Sequence, residues 1–267
     1  MSARNLIRKN IAYLFVVAII IFVLAATIYG GIWPPFSVVE SESMEHGSSW
    51  EPGVINTGDI VLLKKVNDPL NNIVTYVDGR SIGFKTYGEY GDVILYNAPD
   101  GEIIIHRAMF YLTWDNGNPV VYGYHGQSWI KVTKEYVIIY NCSYNGRNLF
   151  VSLKGMENES GFITVGDHNL ATSKEFLSQY DAYIAADQNI FGFPPVPPSK
   201  VVAVAYGQIP WLGLIKLNIM RLYGEWPYYN EVPKNAYTYL LSLIASIIII
   251  PYASINIYKK IKKKVKV

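Results

Sequence analysis

Two long stretches without charge constrain this chain more than any other feature. No Asp, Glu, Lys or Arg occurs from Asn10 through Val39, and none from Asn235 through Tyr258. The apolar part of the first stretch, Ile11 to Gly30, is about 20 residues. At 1.5 Å per residue that covers the ~30 Å hydrocarbon core of a bilayer. In the second stretch Leu240–Ile250 is almost wholly aliphatic, and Pro251 adds a kink of the kind membrane helices tolerate. The expectation is two transmembrane helices, residues 11–30 and 237–258. The alternatives are a cleaved signal peptide at the N-terminus and a buried core helix at the C-terminus. The first run is longer than the usual h-region of about 7–15 residues and no clear A-x-A site follows it, which favours an uncleaved signal anchor.

The flanking cations set the orientation. Arg4, Arg8 and Lys9 precede the first run, and Lys259, Lys260, Lys262, Lys263, Lys264 and Lys266 follow the second. Positive flanks stay cytoplasmic, so segments 1–10 and 259–267 are expected inside and segment 31–236 outside the cell membrane. The formal net charge of +2 then separates by compartment. All 21 acidic residues lie between Glu40 and Glu231, and only 14 of the 23 cations fall in segment 31–236, leaving the exterior segment at −7. An acidic exterior excludes nucleic acid as a natural partner. One cysteine, Cys142, excludes an intrachain disulfide framework and a CxxC metal site. With 22 Tyr, 10 Phe and 6 Trp the chain is equipped for a packed core.

Short runs rich in Ile, Val and Tyr alternate there with Gly, Asn, Asp and Pro. They predict strands at 59–63, 73–77, 92–96, 102–106, 119–122, 136–140, 149–153, 162–165 and 201–205. The main helix expected is Thr172–Tyr183, so the fold class expected is mainly β with antiparallel sheets. The apolar segment Trp211–Tyr223 reads either as a helix on the membrane surface or as a last core strand followed by a short helix. Two sequons, Asn141-Cys-Ser143 and Asn158-Glu-Ser160, fall on the outer face.

A serine hydroxyl becomes a useful nucleophile when a base removes its proton, so the four histidines, His46, His106, His125 and His168, are where chemistry is sought. His106 closes an aliphatic strand. His46 is expected solvated and His125 in a turn. His168 beside Asp167 lacks a third ligand, so no metal and no cofactor are expected. Asp59 and Asp92, each before a strand, are expected to bind turn or backbone groups.

In chain order the motifs run Ser41-Glu-Ser43-Met44, Gly58-Asp-Ile-Val-Leu62, Gly91-Asp-Val-Ile-Leu-Tyr96, His106-Arg107, Gly166-Asp167-His-Asn169 and Asp187-Gln188. This series, behind an N-terminal anchor, resembles the type I signal peptidases of the archaeal and endoplasmic-reticulum branch, over roughly Val38–Gly213. The resemblance implies an antiparallel β catalytic domain between two membrane helices. It also implies insertions near 111–160 and 170–185. By position it makes Ser43 the nucleophile and His106 its general base. Ser41 and the backbone N–H of Ser43 would be the oxyanion donors. Asp187 ranks first as the carboxylate that orients the histidine, Asp167 is the other site aspartate, and Asp181 comes third. The chain departs from the pattern in Glu45-His46 after Met44, in His168 within the second box, and in the twenty residues between Asp167 and Asp187. The activity implied is removal of signal peptides from exported preproteins at small-residue, A-x-A-like sites. The implied partners are those preproteins, the lipid bilayer and secretion machinery, and pilin-like or surface-layer precursors are a variant substrate class. A non-catalytic cell-surface β-domain that binds a wall or partner protein is the alternative.

Overall fold

A computed structural model describes residues 3–247 and 249. Helix α1 (Ala3–Gly30) contains one 18-residue window, Tyr13–Gly30, long and apolar enough to cross a membrane, and among the described residues no other helix meets that measure. A shorter apolar helix, Ala236–Ile247, covers the first half of the expected second span. The rest of that span and the basic tail 259–267 lie outside the described residues. Helix α1 is seated directly on the domain: the Lys65 N–H donates to the Gly30 carbonyl at 2.7 Å, and any side chain at Gly30 would collide with the Leu63 carbonyl.

Seven strands build the larger sheet in the order β1 (Phe36–Val38), β2 (Ile60–Lys64), β14 (Val201–Ile209), β5 (Val93–Asn97), β6 (Ile103–Asp115) and β11 (Gly161–Val165), with β7 (Asn118–Val121) beside the distal end of β6. Every pairing in it is antiparallel. The smaller sheet runs β12 (Phe176–Leu177), β13 (Ala182–Ile184), β10 (Leu149–Ser152), β9 (Tyr136–Ile139) and β8 (Ile130–Val132), antiparallel except for β10–β13. A separate hairpin joins β3 (Lys85–Thr86) to β4 (Glu89–Tyr90).

The protein is mixed helix and largely antiparallel sheet, with more helix than the mainly β expectation allowed. Besides α1 it has α2 (Pro69–Asn72), α3 (Tyr76–Ile82), α4 (Asp167–Thr172), α5 (Asp187–Ile190) and α6 (Gly213–Leu222). The strand expected at 73–77 is instead the approach to α3. Thr75 caps that helix by accepting the Asp78 N–H, and Gly83 ends it at φ 79°, a conformation open to glycine. The helix expected over 172–183 is also absent. Helix α4 stops at Thr172, and the following residues form the β12–β13 hairpin, because pairing with β10 gives Ala182–Ile184 a sheet edge to join. Segment 211–223 resolves into α6, which follows strand β14 directly.

Three apolar clusters pack against the larger sheet, and the first of them joins it to the smaller. Met109, Phe110, Leu112, Ile163 and Val165 of the larger sheet meet Val137, Ile139, Leu149 and Val151 of the smaller. On the other flank Met44 and Ile55 pack under Val61, Leu63, Val93, Leu95 and Ala203. Ile94, Tyr96, Ala108, Tyr111 and Phe162 form the third cluster. Burying Met44 completely contributes roughly 1.5–3 kcal/mol and ties down the residue next to Ser43.

Candidate active site

Strand β6 carries two chemical residues in succession, and the period of two sends them to opposite faces. His106 pairs across the sheet with Ile94, and Arg107 with Val93. Their neighbours follow that division: Ile94 belongs to the cluster around Tyr96 and Phe162, and Val93 to the cluster around Met44.

On its face His106 is buried, and its Nδ1 lies 2.7 Å from Asp187 Oδ2. An ionised carboxylate only accepts, so Nδ1 carries the hydrogen and Nε2 keeps the lone pair. Asp187 is first in α5, where the Val165–Ala186 bridge draws that short helix onto β11. The same Oδ2 accepts from the Tyr96 hydroxyl at 2.7 Å and the Thr164 hydroxyl at 2.6 Å. Burial pushes the Tyr96 hydroxyl far up, so it remains a donor. Asp187 is 1 % exposed, and its Oδ1 has no partner among the described residues. Thr164 reaches this face through a bulge. Ile163 pairs with Phe110 but Thr164 with Ala108, so one extra residue of β6 brings Ala108 and His106 to the face on which Thr164 lies by alternation with Ile163.

Ser43 belongs to the irregular segment between β1 and β2. It lines one cleft of about 650 Å³ together with His106, Ser41, Ile105, Asn169 and Glu231. Gly166 permits this approach. A β-carbon there would stand 2.5 Å from the Ser43 carbonyl oxygen, 2.8 Å from Asn169 Nδ2 and 2.9 Å from His106 Nε2. The Ser43 carbonyl accepts the His168 N–H at 3.0 Å, and the Ser41 and Ser43 hydroxyls lie 3.5 Å apart. From the far side, the Glu231 carboxylate accepts the Glu42 N–H at 3.0 Å, and Trp226 Nε1–H donates to the Glu40 carbonyl at 2.8 Å. A second cavity of about 530 Å³ lies among α2, α3 and β7 around Asp78 and His125, away from His106 and Ser43.

Asp167 lies on the other face of β6. It accepts Arg107 Nε–H at 2.8 Å and Nη2–H at 2.6 Å, and His46 Nε2 lies 3.1 Å away. Burial alone would raise its pKa, but the Arg107 charge and hydrogen bonds, with those of His46, hold it at about 2. Asp181 sits exposed on the β12–β13 turn at φ 48°, its carbonyl accepting from Asn148. The structure therefore brings His106 to Asp187 and keeps Asp167 and Asp181 away from it. His46 is not solvated as expected. It stacks on Tyr144 at 4.4 Å between ring centroids and turns to Asp167, because the segment after Met44 folds back over α4. His125 is exposed, and His168 points its Nε2 at Glu42, 3.5 Å away.

Asp59 and Asp92 do bind turn and backbone groups. Asp59 accepts from Trp50 Nε1, the Asn56 N–H and the Trp211 N–H, and Asp92 from the Val74 N–H. Among the described residues no three of His, Cys, Asp and Glu gather as a metal site. Tyr96, Thr164, Arg107, Gly166 and Glu231 carry the site but were not singled out from the sequence as site residues. Four of them stand inside the quoted strands and boxes. Glu231 lies beyond them and had no signal.

No protein-family model matches the chain, and no curated protein matches it in sequence.

Proposed function

We propose that the chain is a membrane-anchored serine endopeptidase that removes signal peptides from exported preproteins. The observation that carries this reading is the buried His106–Asp187 pair, whose free Nε2 faces the Ser43 segment within one cleft. The order of motifs around Ser43 and His106 supports it, as does an N-terminal helix able to span a membrane. Topologically, both termini are cytoplasmic, the second span is residues 237–258, and 31–236 is the extracytoplasmic catalytic domain of signal-peptidase type.

In this mechanism His106 Nε2 takes the proton of Ser43 Oγ as that oxygen attacks the scissile carbonyl. Asp187 holds the Nδ1–H tautomer and stabilises the imidazolium, and Tyr96 and Thr164 fix the carboxylate. Ser41 Oγ–H and the Ser43 N–H donate to the oxyanion, a contribution of roughly 3–4 kcal/mol per donor. The imidazolium then protonates the leaving amine, and a water deprotonated by Nε2 hydrolyses the acyl-enzyme. Extended substrate fits an open edge here. Strand β11 pairs with β6 only from Arg107 onward, leaving Ile103–Ile105 available for strand addition, and those residues line the cleft.

The test is cleavage of a preprotein with an A-x-A site by the full chain reconstituted in lipid. Ser43→Ala and His106→Ala each lower kcat by at least ~10³-fold. Cleavage at the wild-type rate by either variant overturns the mechanism and leaves the cell-surface binding domain as the reading.

A further inference from the structure

We propose that α6 lies in the outer membrane interface, with Ile215, Ile219, Leu222 and Tyr223 immersed among lipid chains. The inner face of this helix is already satisfied, because Leu214 and Leu217 are fully buried against Trp226, Ala236 and Leu240. The opposite face is apolar as well. Ile215, Ile219 and Leu222 follow one another at i, i+4 and i+7, and they are 49 %, 53 % and 84 % exposed, with Tyr223 at 76 %. Apolar on both its inner and its outer face, the helix leaves only the flanks that carry Lys216 and Arg221 for water, so its outer face calls for an apolar medium.

Its position says which medium. Helix α6 packs on Ala236 and Leu240, the first turns of a helix that starts the charge-free run Asn235–Tyr258, and Asn218 Nδ2–H donates to the Tyr237 hydroxyl at 3.0 Å. Above that contact Leu241, Ile244 and Ile247 are exposed too. The chain is already tied to a bilayer through α1, so lipid covers both apolar surfaces without a further partner. Flanking groups suit the headgroup layer. Lys216 reaches aside to Glu40 at 3.2 Å, and Arg221 lies 3.9 Å over the Tyr229 ring. The segment directly after α6 walls the cleft through Glu225, Pro227, Tyr228 and Glu231. An interfacial α6 therefore fixes the height of Ser43 above the membrane. The inference rests on membrane anchoring and not on the peptidase reading.

Fluorescence in the full chain tests it independently of catalysis. Cys142 is buried, and burial pushes its thiol up to about 12, so Ile219→Cys supplies a selectively reactive thiol. It is labelled with an environment-sensitive nitrobenzoxadiazole dye and reconstituted in phosphatidylcholine–phosphatidylglycerol vesicles. The expected emission is blue-shifted from that of the same dye at Asn116→Cys on the exposed β6–β7 turn. Quenching is several-fold stronger by lipid carrying a nitroxide near the headgroup than by lipid carrying it at the chain end. Emission matching the Asn116 position, with full iodide quenching, places the stripe in water and overturns the proposal. A blue shift without lipid quenching also overturns it, since a second copy of the chain then covers the face. Ile215→Cys and Leu222→Cys carry the same measurement should Ile219→Cys fail to fold.

Discussion

Strand β6 offers two buried aspartate pairs back to back, made from similar parts and bonded in different ways. Arg107 gives Asp167 two parallel hydrogen bonds and spends Nη1 on the carbonyls of Thr86, Glu89, Tyr90 and Gly91. His46 adds a further contact to the carboxylate, so the cluster closes on itself. One position earlier, His106 gives Asp187 a single nitrogen and keeps the other toward Ser43. Asp187 gathers three donors on one oxygen and leaves the second unpartnered among the described residues. Arg107, with each of its three nitrogens engaged, holds loops in place, whereas His106 has one nitrogen left to take up and return a proton. Burial alone does not separate the two pairs. The chemistry of the cation-forming partner does.

Exchanging each carboxylate for its amide breaks the comparison most sharply. Asp187→Asn offers His106 an N–H in place of an acceptor, which reverses the tautomer, and kcat for preprotein cleavage falls by about 10⁴-fold with a small change in Tm. Asp167→Asn leaves the Arg107 charge buried without its counter-ion, and the expected cost is about 3–5 kcal/mol of stability, read as a large fall in Tm. Should Asp167→Asn abolish cleavage while leaving Tm unchanged, the assignment of the two pairs is reversed.

Glu45 sharpens the same contrast because it is a buried carboxylate without a cation. Burial raises it from 4.5 to about 7, against the hydrogen bonds that Thr57 gives it through N–H and Oγ1–H at 2.8 and 2.7 Å. The two carboxylates therefore bend the stability curve in opposite directions. Asp167, lowered to about 2, contributes in full above the ordinary carboxylate pKa of about 4, and that contribution is lost as pH falls toward 2. Glu45 contributes in full below 4.5, and its contribution is lost as pH rises through about 7. Glu45→Gln keeps an oxygen for both Thr57 donors and removes the charge. Its Tm holds flatter than that of the wild type between about pH 5 and pH 8, the gap at the alkaline end reaching up to about 3 kcal/mol. Asp59, raised by burial to about 6, leaves a residual slope in the variant. Parallel curves for the two proteins would remove Glu45 from this account.

The contrast also explains what the residue order could and could not disclose. Apolar runs rich in Ile, Val and Tyr between turn residues locate β2, β5, β9, β10, β11 and β14 to within a few residues, because strands buried on both faces, as β5 and β11 are, are written as unbroken apolar runs. The start of helix α3 reads as a strand because Ile73–Val77 has strand composition, and only the Thr75 cap and the Gly83 stop mark the change. Ser43 and His106 stood out through their motifs. The ranking of Asp187 above Asp167 rested on motif position, and the structure attaches them to different faces of β6. That separation follows from register and from a bulge at Met109–Phe110, which are properties of pairing and not of composition. Glu231 meets Glu42 across 189 positions, a distance over which local pattern carries nothing.

The smallest effect comes from the hydroxyls that hold Asp187. Tyr96→Phe and Thr164→Val each delete one donor to Oδ2 and leave the His106 hydrogen bond in place. A hydrogen bond to a charged group is worth about 1.5–3 kcal/mol, of which only the part that holds the carboxylate in line with His106 Nδ1, and so the ring in line with Ser43, reaches the rate. The expected loss in kcat is about tenfold for each, with KM nearly unchanged. The two hydroxyls share one oxygen and lie 3.2 Å from each other, so their deletions couple and the double variant departs from the product of the singles. Thr86→Val, beside Arg107 on the opposite face, leaves kcat where it was. A loss in the Thr86 variant equal to that in the Tyr96 variant would mean that the two faces of β6 communicate, and the division drawn between the two pairs would fail.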